Sequence, residues 1–283
     1  MKLNNKNAEW FIPDGKDVET AVSRITHLAI SAHQDDIEIM AYDGILKCFG
    51  TDEKWFGAVV VTNGAGSARD GIYADYTDED MQKIRKIEQK KAAYVGDYSA
   101  LALLDYSSTQ VKSPDSEDIA DELKRIIQLA KPEVIYTHNL ADKHDTHLGV
   151  VTKVIAAIRQ LPQEARPKEL YGCEVWRNLD WVRDEQKVIF DVSAHPNLSA
   201  ALVGVFDSQI AGGKRYDLAT SGRRLANATY SSSHSVDSSD ALSYAIDLTP
   251  LIQDVNLSVI KYIKEYIASF EQEVVQKLGK VIK

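Results

Sequence analysis

Cysteine is scarce in this chain: Cys48 and Cys173 are the only two in 283 residues, far apart and in no CxxC pair. That argues against a disulfide framework and against thiolate metal ligands, and it suits a reducing compartment. Positive charge is short as well. Lys and Arg total 33 against 42 Asp and Glu, a formal net charge of −9. A nucleic-acid or anionic-membrane surface needs clustered positive charge, so neither partner is expected, although one or two arginines would still hold a small anion. No stretch approaches the apolar length that crosses a bilayer, and Met1–Asn7 is polar, without the apolar core of a signal peptide. The expected location is the cytoplasm. Also missing are an internal repeat, a low-complexity tract and a GxGxxG after the first strand, so a dinucleotide site is not indicated.

What remains is an ordinary globular composition, 44% apolar and 27% charged, long enough for one large α/β domain or two small ones. Up to about residue 160, strand-like and helix-like segments alternate. Strands are predicted at about 24–32, 56–61, 99–104 and 133–137, and helices at about 38–49, 79–95, 116–130 and 147–160. Pro132 blocks continuation of the third helix. Repeated βα units of this kind predict a Rossmann-like, mostly parallel sheet with helices on both faces. Beyond residue 165 the pattern loosens. Strands are predicted at 168–175 and 187–192 and a helix at 197–206, while the Ser-, Gly- and Asp-rich segment 208–240 reads as a long loop near the site. Residues 1–23 read as an N-terminal extension and 24–250 as the domain. In 251–283, Leu257, Ile260, Ile263, Ile267, Phe270, Val274 and Leu278 share one helical face. That helix is expected to pack on the domain, with a homo-oligomer contact as the alternative.

The chemistry concentrates in two histidine–carboxylate clusters, each directly after a predicted strand. One is His33-Gln34-Asp35-Asp36, the other runs from His138 to His147 and holds Asp142 and His144. Carboxyl ends of parallel strands are where ligands and catalytic groups gather. His33 and Asp36 are three apart, and His144 and His147 share that spacing at a helix start, where i and i+3 lie on one face. Together the clusters could close around one divalent metal, and two imidazoles with one carboxylate leave a position open, as catalytic zinc does.

Ala32-His33-Gln34-Asp35-Asp36-Ile37-Glu38-Ile39 resembles the AHPDDxEI-type motif of the PIG-L/LmbE-like N-acetylglucosaminyl deacetylases. Asn139–His147 resembles that family's second motif, D-x-H-P-D-H. Thr62–Arg69 with Arg85, Glu88 and Ala92-Ala93 resembles the segment between them, and Phe190–Ser193 and Asp207-Ser208-Gln209 resemble later signatures. The resemblance covers roughly residues 24–247. It implies a zinc-dependent hydrolase that removes an N-acetyl group from an amino sugar or related amide, with one Zn2+ per chain. His33, Asp36 and His147 would bind the metal, Asp35 would be the general base, and His144 would stabilise the oxyanion or protonate the leaving amine. Asp142 or Asp145 would orient His144, and Arg69 would bind a sugar hydroxyl or an anionic substituent. The sequence departs from the family at Gln34, where proline is usual, at Thr146, which replaces an acid, and at Ala41-Tyr42-Asp43-Gly44, which places the Tyr42 phenol near the site.

His138, at a strand end, is a candidate for a loop hydrogen bond or for substrate. His27 reads as packed, His195 as a turn residue, Trp176 and Arg177 as cleft-lining candidates with core or interface as the alternative, and Arg223 and Arg224 as exposed charges. A non-haem iron oxygenase and a non-catalytic metal- or sugar-binding protein on the same fold are the rivals. Asp35 has a task in hydrolysis that neither rival gives it.

Overall fold

Four consecutive apolar runs make the centre of the sheet, and each is buried along its whole length or nearly so. In the computed structural model, which describes residues 1–282, these are β2 (His27–Ser31), β3 (Phe56–Thr62), β4 (Ala100–Tyr106) and β5 (Val134–His138). Burial on both faces is what a parallel sheet sandwiched by helices demands. With β1 (Glu9–Phe11), β6 (Glu169–Cys173), β7 (Val188–Asp191) and β8 (Leu242–Asp247), the order across the sheet is β1-β4-β3-β2-β5-β6-β8-β7. The five strands β4-β3-β2-β5-β6 run parallel, and β1, β8 and β7 pair antiparallel at the two sides. The predicted mostly parallel, LmbE-like α/β sheet is the observed one.

Alternation along the strands divides the core in two. Leu28, Ile30, Val59 and Val61 face the helices Glu117–Ala130 and Asp145–Arg159, while Ala29, Ala58 and Val60 face Asp36–Met40, Tyr42–Cys48 and Pro196–Gly204. From β2 the chain first winds outward through β3 and β4, then returns to start β5 on the other side of β2. The order therefore reverses between β2 and β5, the crevice where such sheets bind ligands. Both histidine clusters leave the sheet there.

Several expectations need adjusting. The first helix breaks at Ala41 into Asp36–Met40 and Tyr42–Cys48. The segment 208–240 is no long loop: it contains the helix Tyr216–Tyr230, after a short turn at Asp207–Ile210. Its buried stripe is Thr220, Arg224 and Ala228, small or polar residues that give no aliphatic periodicity to read. β8 was not expected at all, and it sits between β6 and β7. Residues 1–23 are not an appendage, since Glu9–Phe11 adds a strand beside β4 and the Asn5 side chain donates to Leu104 O at 2.7 Å. The last helix, Val259–Gly279, packs on the core by its first turns, and further along Ser269 and Glu273 face Arg183. Tyr262, Ile263 and Tyr266 rest on the core, and Ile260, Ile267 and Leu278 stay exposed. No helix among the described residues is long and apolar enough to cross a membrane.

Candidate metal centre

Past Ser31, the chain turns through Ala32–Asp35 into the helix Asp36–Met40. Asp35 adopts φ of 88°, a region that L residues other than Asn and Asp rarely enter. Its N–H is held by Gln89 Oε1 at 3.1 Å, and Gln89 in turn donates to Glu38, which also accepts from Tyr98. This buried brace fixes the turn, so Asp36 points back under His33 and its Oδ2 accepts the His33 N–H at 2.7 Å. Gly64, with φ of 77°, lets the next loop close over Gln34, whose Oε1 would lie 2.6 Å from any Cβ there.

Three donor atoms meet at this turn. His33 Nδ1 lies 3.2 Å from Asp36 Oδ2 and 3.2 Å from His147 Nε2, and His147 Nε2 lies 3.3 Å from Asp36 Oδ2. A tetrahedral zinc with bonds of about 2.0–2.1 Å separates its ligand atoms by about 3.3 Å. The triangle fits one face of that tetrahedron. Two imidazoles and a carboxylate suit zinc and other transition ions, whereas calcium and magnesium take oxygen ligands. Burial opposes charge on Asp36, but His147 and His33 hold its carboxyl well below the usual range. Burial likewise opposes protonation of His147, yet Asp36 and Asp142 outweigh it and raise its pKa to about 9. The cluster is organised to hold positive charge beside Asp36.

Asp142 is placed differently from the expectation that it orients His144. Its Oδ2 faces His147 Nδ1 at 3.4 Å, while Oδ1 accepts only the backbone N–H of His144. A proton on Nδ1 directed at this carboxylate leaves the Nε2 lone pair free for a metal, the usual carboxylate–histidine–metal relay. His138 is no substrate contact either. It is fully buried, stacked on His147 with centroids 3.8 Å apart, and its Nε2 accepts the Ala32 N–H at 2.8 Å. That bond occupies the nitrogen that also lies 3.6 Å from Asp36 Oδ2, in a group of Asp36, His138 and His147 whose ligand atoms lie close together.

His144 lines the cavity above the triangle, its ring 4.8 Å from that of His33 and 4.9 Å from that of His147. It caps the helix Asp145–Arg159, with Nδ1 accepting from Thr146 N–H at 3.3 Å. Nδ1 being the acceptor, a neutral ring carries its proton on Nε2. Burial, then His33 and His147, push its pKa down, which favours the neutral ring.

Asp35 also lines the cavity. Its Oδ2 pairs with Arg85 Nη2 at 3.0 Å, both groups buried. Burial pushes the Asp35 carboxyl up, Arg85 pulls it down, and Asp36 and Glu38 push it up again. Arg85 further donates to Gln34 O and Ser67 Oγ. It is the arginine the sequence reading left without a role, on a polar position of an otherwise amphipathic helix. Arg69 is elsewhere: its guanidinium binds Ala65 O, Tyr76 O and Asp78, stapling its own loop outside the cavity lining. Tyr42 is buried beneath Arg224, and its hydroxyl donates to His195 O at 2.7 Å and to Ala194 O. Neither Arg69 nor Tyr42 lines the cavity. His27 is packed, as expected, and burial lowers its pKa to about 4.

The cavity has a volume of about 520 Å³. Its far wall comes from Glu174, Trp176, Lys214, Tyr216 and Arg223, the last three in the 208–240 segment expected near the site.

Residues 28–158, the span that carries every one of these site groups except the far wall, match the PIG-L family, GlcNAc-PI de-N-acetylase. Over those residues the chain is similar to a PIG-L domain. Among solved structures, the chain resembles the N,N'-diacetylchitobiose deacetylase of Pyrococcus horikoshii, with TM-score 0.64 and 14% identity over 86% of this chain and 91% of that one. It also resembles the 4-carboxy-2-hydroxymuconate hydratase of Pseudomonas putida, with TM-score 0.61 and 18% identity over 83% and 100%. A conserved protein of Thermus thermophilus gives TM-score 0.59 and 16% identity over 83% and 100%. At these identities the likeness is one of fold, and it spans a deacetylase and a hydratase. The comparison with curated proteins returns no match.

Proposed function

We propose that this chain is a zinc-dependent hydrolase that removes the N-acetyl group from an amino sugar or a closely related amide. The observation that carries the reading is the triangle of His33, Asp36 and His147, beside an aspartate that ligates nothing. These three residues would hold one ion per chain. A bound divalent ion supplies the Lewis acidity an amide needs, polarising its carbonyl and lowering the pKa of a water. Asp35 takes the water's proton through the oxygen that Arg85 does not hold, and the rise in its pKa makes it a better proton acceptor. Neutral His144 donates from Nε2 to the oxygen that gains negative charge. Asp142 keeps His147 in the tautomer that ligates, and Gln89 with Glu38 keeps Asp35 in its unusual backbone conformation. The proton on Asp35 then passes to the departing amine.

The shared fold with a hydratase means that fold does not choose the reaction. The family match over residues 28–158 favours deacetylation. The deciding experiment incubates the purified chain with a panel of N-acetylated amino sugars and measures released acetate and free amine, before and after chelation and zinc return. Acetate release that disappears with the metal and comes back with zinc supports the reading. A panel that yields no acetate from metal-loaded protein rejects it.

A further inference from the structure

The last helix, Val259–Gly279, gives one face to the domain and leaves another uncovered. Tyr262, Ile263 and Tyr266 rest on the core, and Ser269 and Glu273 turn toward Arg183. On the far side Ile260, Ile267, Val274, Leu278 and Val281 are exposed, and so are Lys264 and Glu271 between them. These residues follow one another at alternating steps of four and three. At 3.6 residues per turn that keeps them within about 100° of arc. Such a stripe is the seam along which two helices pack. Single surface hydrophobics are ordinary, whereas a continuous row of them marks a contact. The two charges in the row indicate what covers it. Lys264 and Glu271 stand seven apart, beyond the three- or four-residue reach of an ion pair within one helix. If a second copy lies antiparallel along the full helix, Ile260 meets the partner's Leu278, Lys264 meets the partner's Val274, and Ile267 meets the partner's Glu271. Lys264 is then within one turn of the partner's Glu271, and a two-fold axis makes that contact twice. A parallel pairing would set lysine on lysine and glutamate on glutamate. The helix carries three lysines and three glutamates, so it lacks the basic face that an anionic membrane surface attracts.

We infer that the outer face of Val259–Gly279 is an interface for a second copy of this chain, the two helices pairing antiparallel about a two-fold axis. The pairing does not depend on the reaction at the metal centre. Burial of the apolar ends of the stripe drives it. Lys264 and Glu271 set its direction, since charged groups across an interface select orientation more than they add affinity. A single helix seam of about 31 Å makes a small interface, so the dimer is expected to come apart on dilution.

The test is sedimentation velocity on the full chain over a range of micromolar concentrations. A species of twice 31.5 kDa is expected, in equilibrium with the single chain. Ile267→Asp, at an exposed position, should weaken the dimer about tenfold or more with the circular dichroism and melting temperature of the parent chain. Lys264→Glu alone, and Glu271→Lys alone, each create two like-charge contacts and should weaken it about tenfold. The double variant Lys264→Glu/Glu271→Lys exchanges the signs and should restore the parent affinity, which a parallel or purely apolar contact would not produce. A chain that stays single at every concentration, or a dimer indifferent to Ile267→Asp, overturns the interface. Loss in both single variants without recovery in the double overturns the antiparallel pairing. Binding to phosphatidylcholine vesicles without self-association makes the stripe a membrane face and overturns the interface as well.

Discussion

The floor and the rim of the cavity are built in opposite ways. The floor comes from the ends of two adjacent parallel strands, β2 and β5. Its groups are almost wholly buried, and three donor atoms sit within 3.3 Å of one another. The rim comes from residues 174–224, on loops and a helix whose side chains are partly exposed. Floor geometry tolerates little change, because donor separations set by strand ends must match an ion. Rim geometry is set by loops, which can vary without disturbing the sheet. The difference suggests a division of work, with chemistry at the floor and choice of substrate at the rim.

Breaking the floor should have the largest effect. His147→Ala removes one donor and leaves Asp36 facing one imidazole fewer. Metal content, measured by elemental analysis, is expected to fall from about one ion per chain to a trace, with acetate release at background. Stoichiometric zinc in that variant would take His147 out of the ligand set. Next comes Asp35→Asn, which keeps the side-chain shape and tolerates positive φ. It should retain zinc and lose about 10²–10⁴-fold in kcat, the usual value of a general base. Metal loss in this variant would instead make Asp35 a ligand.

A subtler cut separates two roles for Asp142. Facing His147 Nδ1 at 3.4 Å, it should tune metal affinity, so Asp142→Asn is expected to weaken zinc binding about 10–100-fold. Activity at saturating zinc should recover much of its value. If Asp142 oriented the His144 ring, as the sequence alone suggested, the rate would drop at saturating zinc and the affinity would not move. Competition with a chromogenic chelator, followed by rates at fixed free zinc, distinguishes the two.

The same contrast explains what was legible in the sequence. Runs such as Phe56–Val61 and Val134–Thr137 are apolar because both faces of a central strand are covered, so the sheet announced itself. The convergence of His33, Asp36 and His147 was legible because each half is local: His33 and Asp36 lie in one turn, and His147 lies at a helix start beside His144. What binds the halves together, the adjacency of β2 and β5, is set by the strand order, which βα repetition alone does not fix. The rim was opaque because its residues come together only in three dimensions. Trp176, Lys214 and Arg223 belong to three segments with no shared spacing. The helix Tyr216–Tyr230 hid itself by burying Thr220 and Arg224 where aliphatic residues usually mark a face. Direction was hidden too, since spacing places His138 and Asp142 near the site without saying which group each one faces.

The smallest expected effect is also the sharpest test of that last point, because it concerns two arginines that sequence reasoning ranked in the reverse order. Arg69 was the one assigned to substrate, yet its guanidinium is taken up by Ala65 O, Tyr76 O and an exposed carboxylate of its own loop. Exposed ion pairs contribute about 0.2–1 kcal/mol, so Arg69→Gln should change kcat/KM by less than about fivefold and stability only slightly. Arg85 lies buried against Asp35 at 3.0 Å, and removing one member of a buried pair costs about 3–5 kcal/mol. Arg85→Gln should therefore lower both the melting temperature and kcat. It should also move the acidic limb of the kcat profile to higher pH, because Asp35 loses the cation that favours its charged form. A large loss in Arg69→Gln with an unchanged rate in Arg85→Gln would return the substrate arginine to the loop and remove it from the floor.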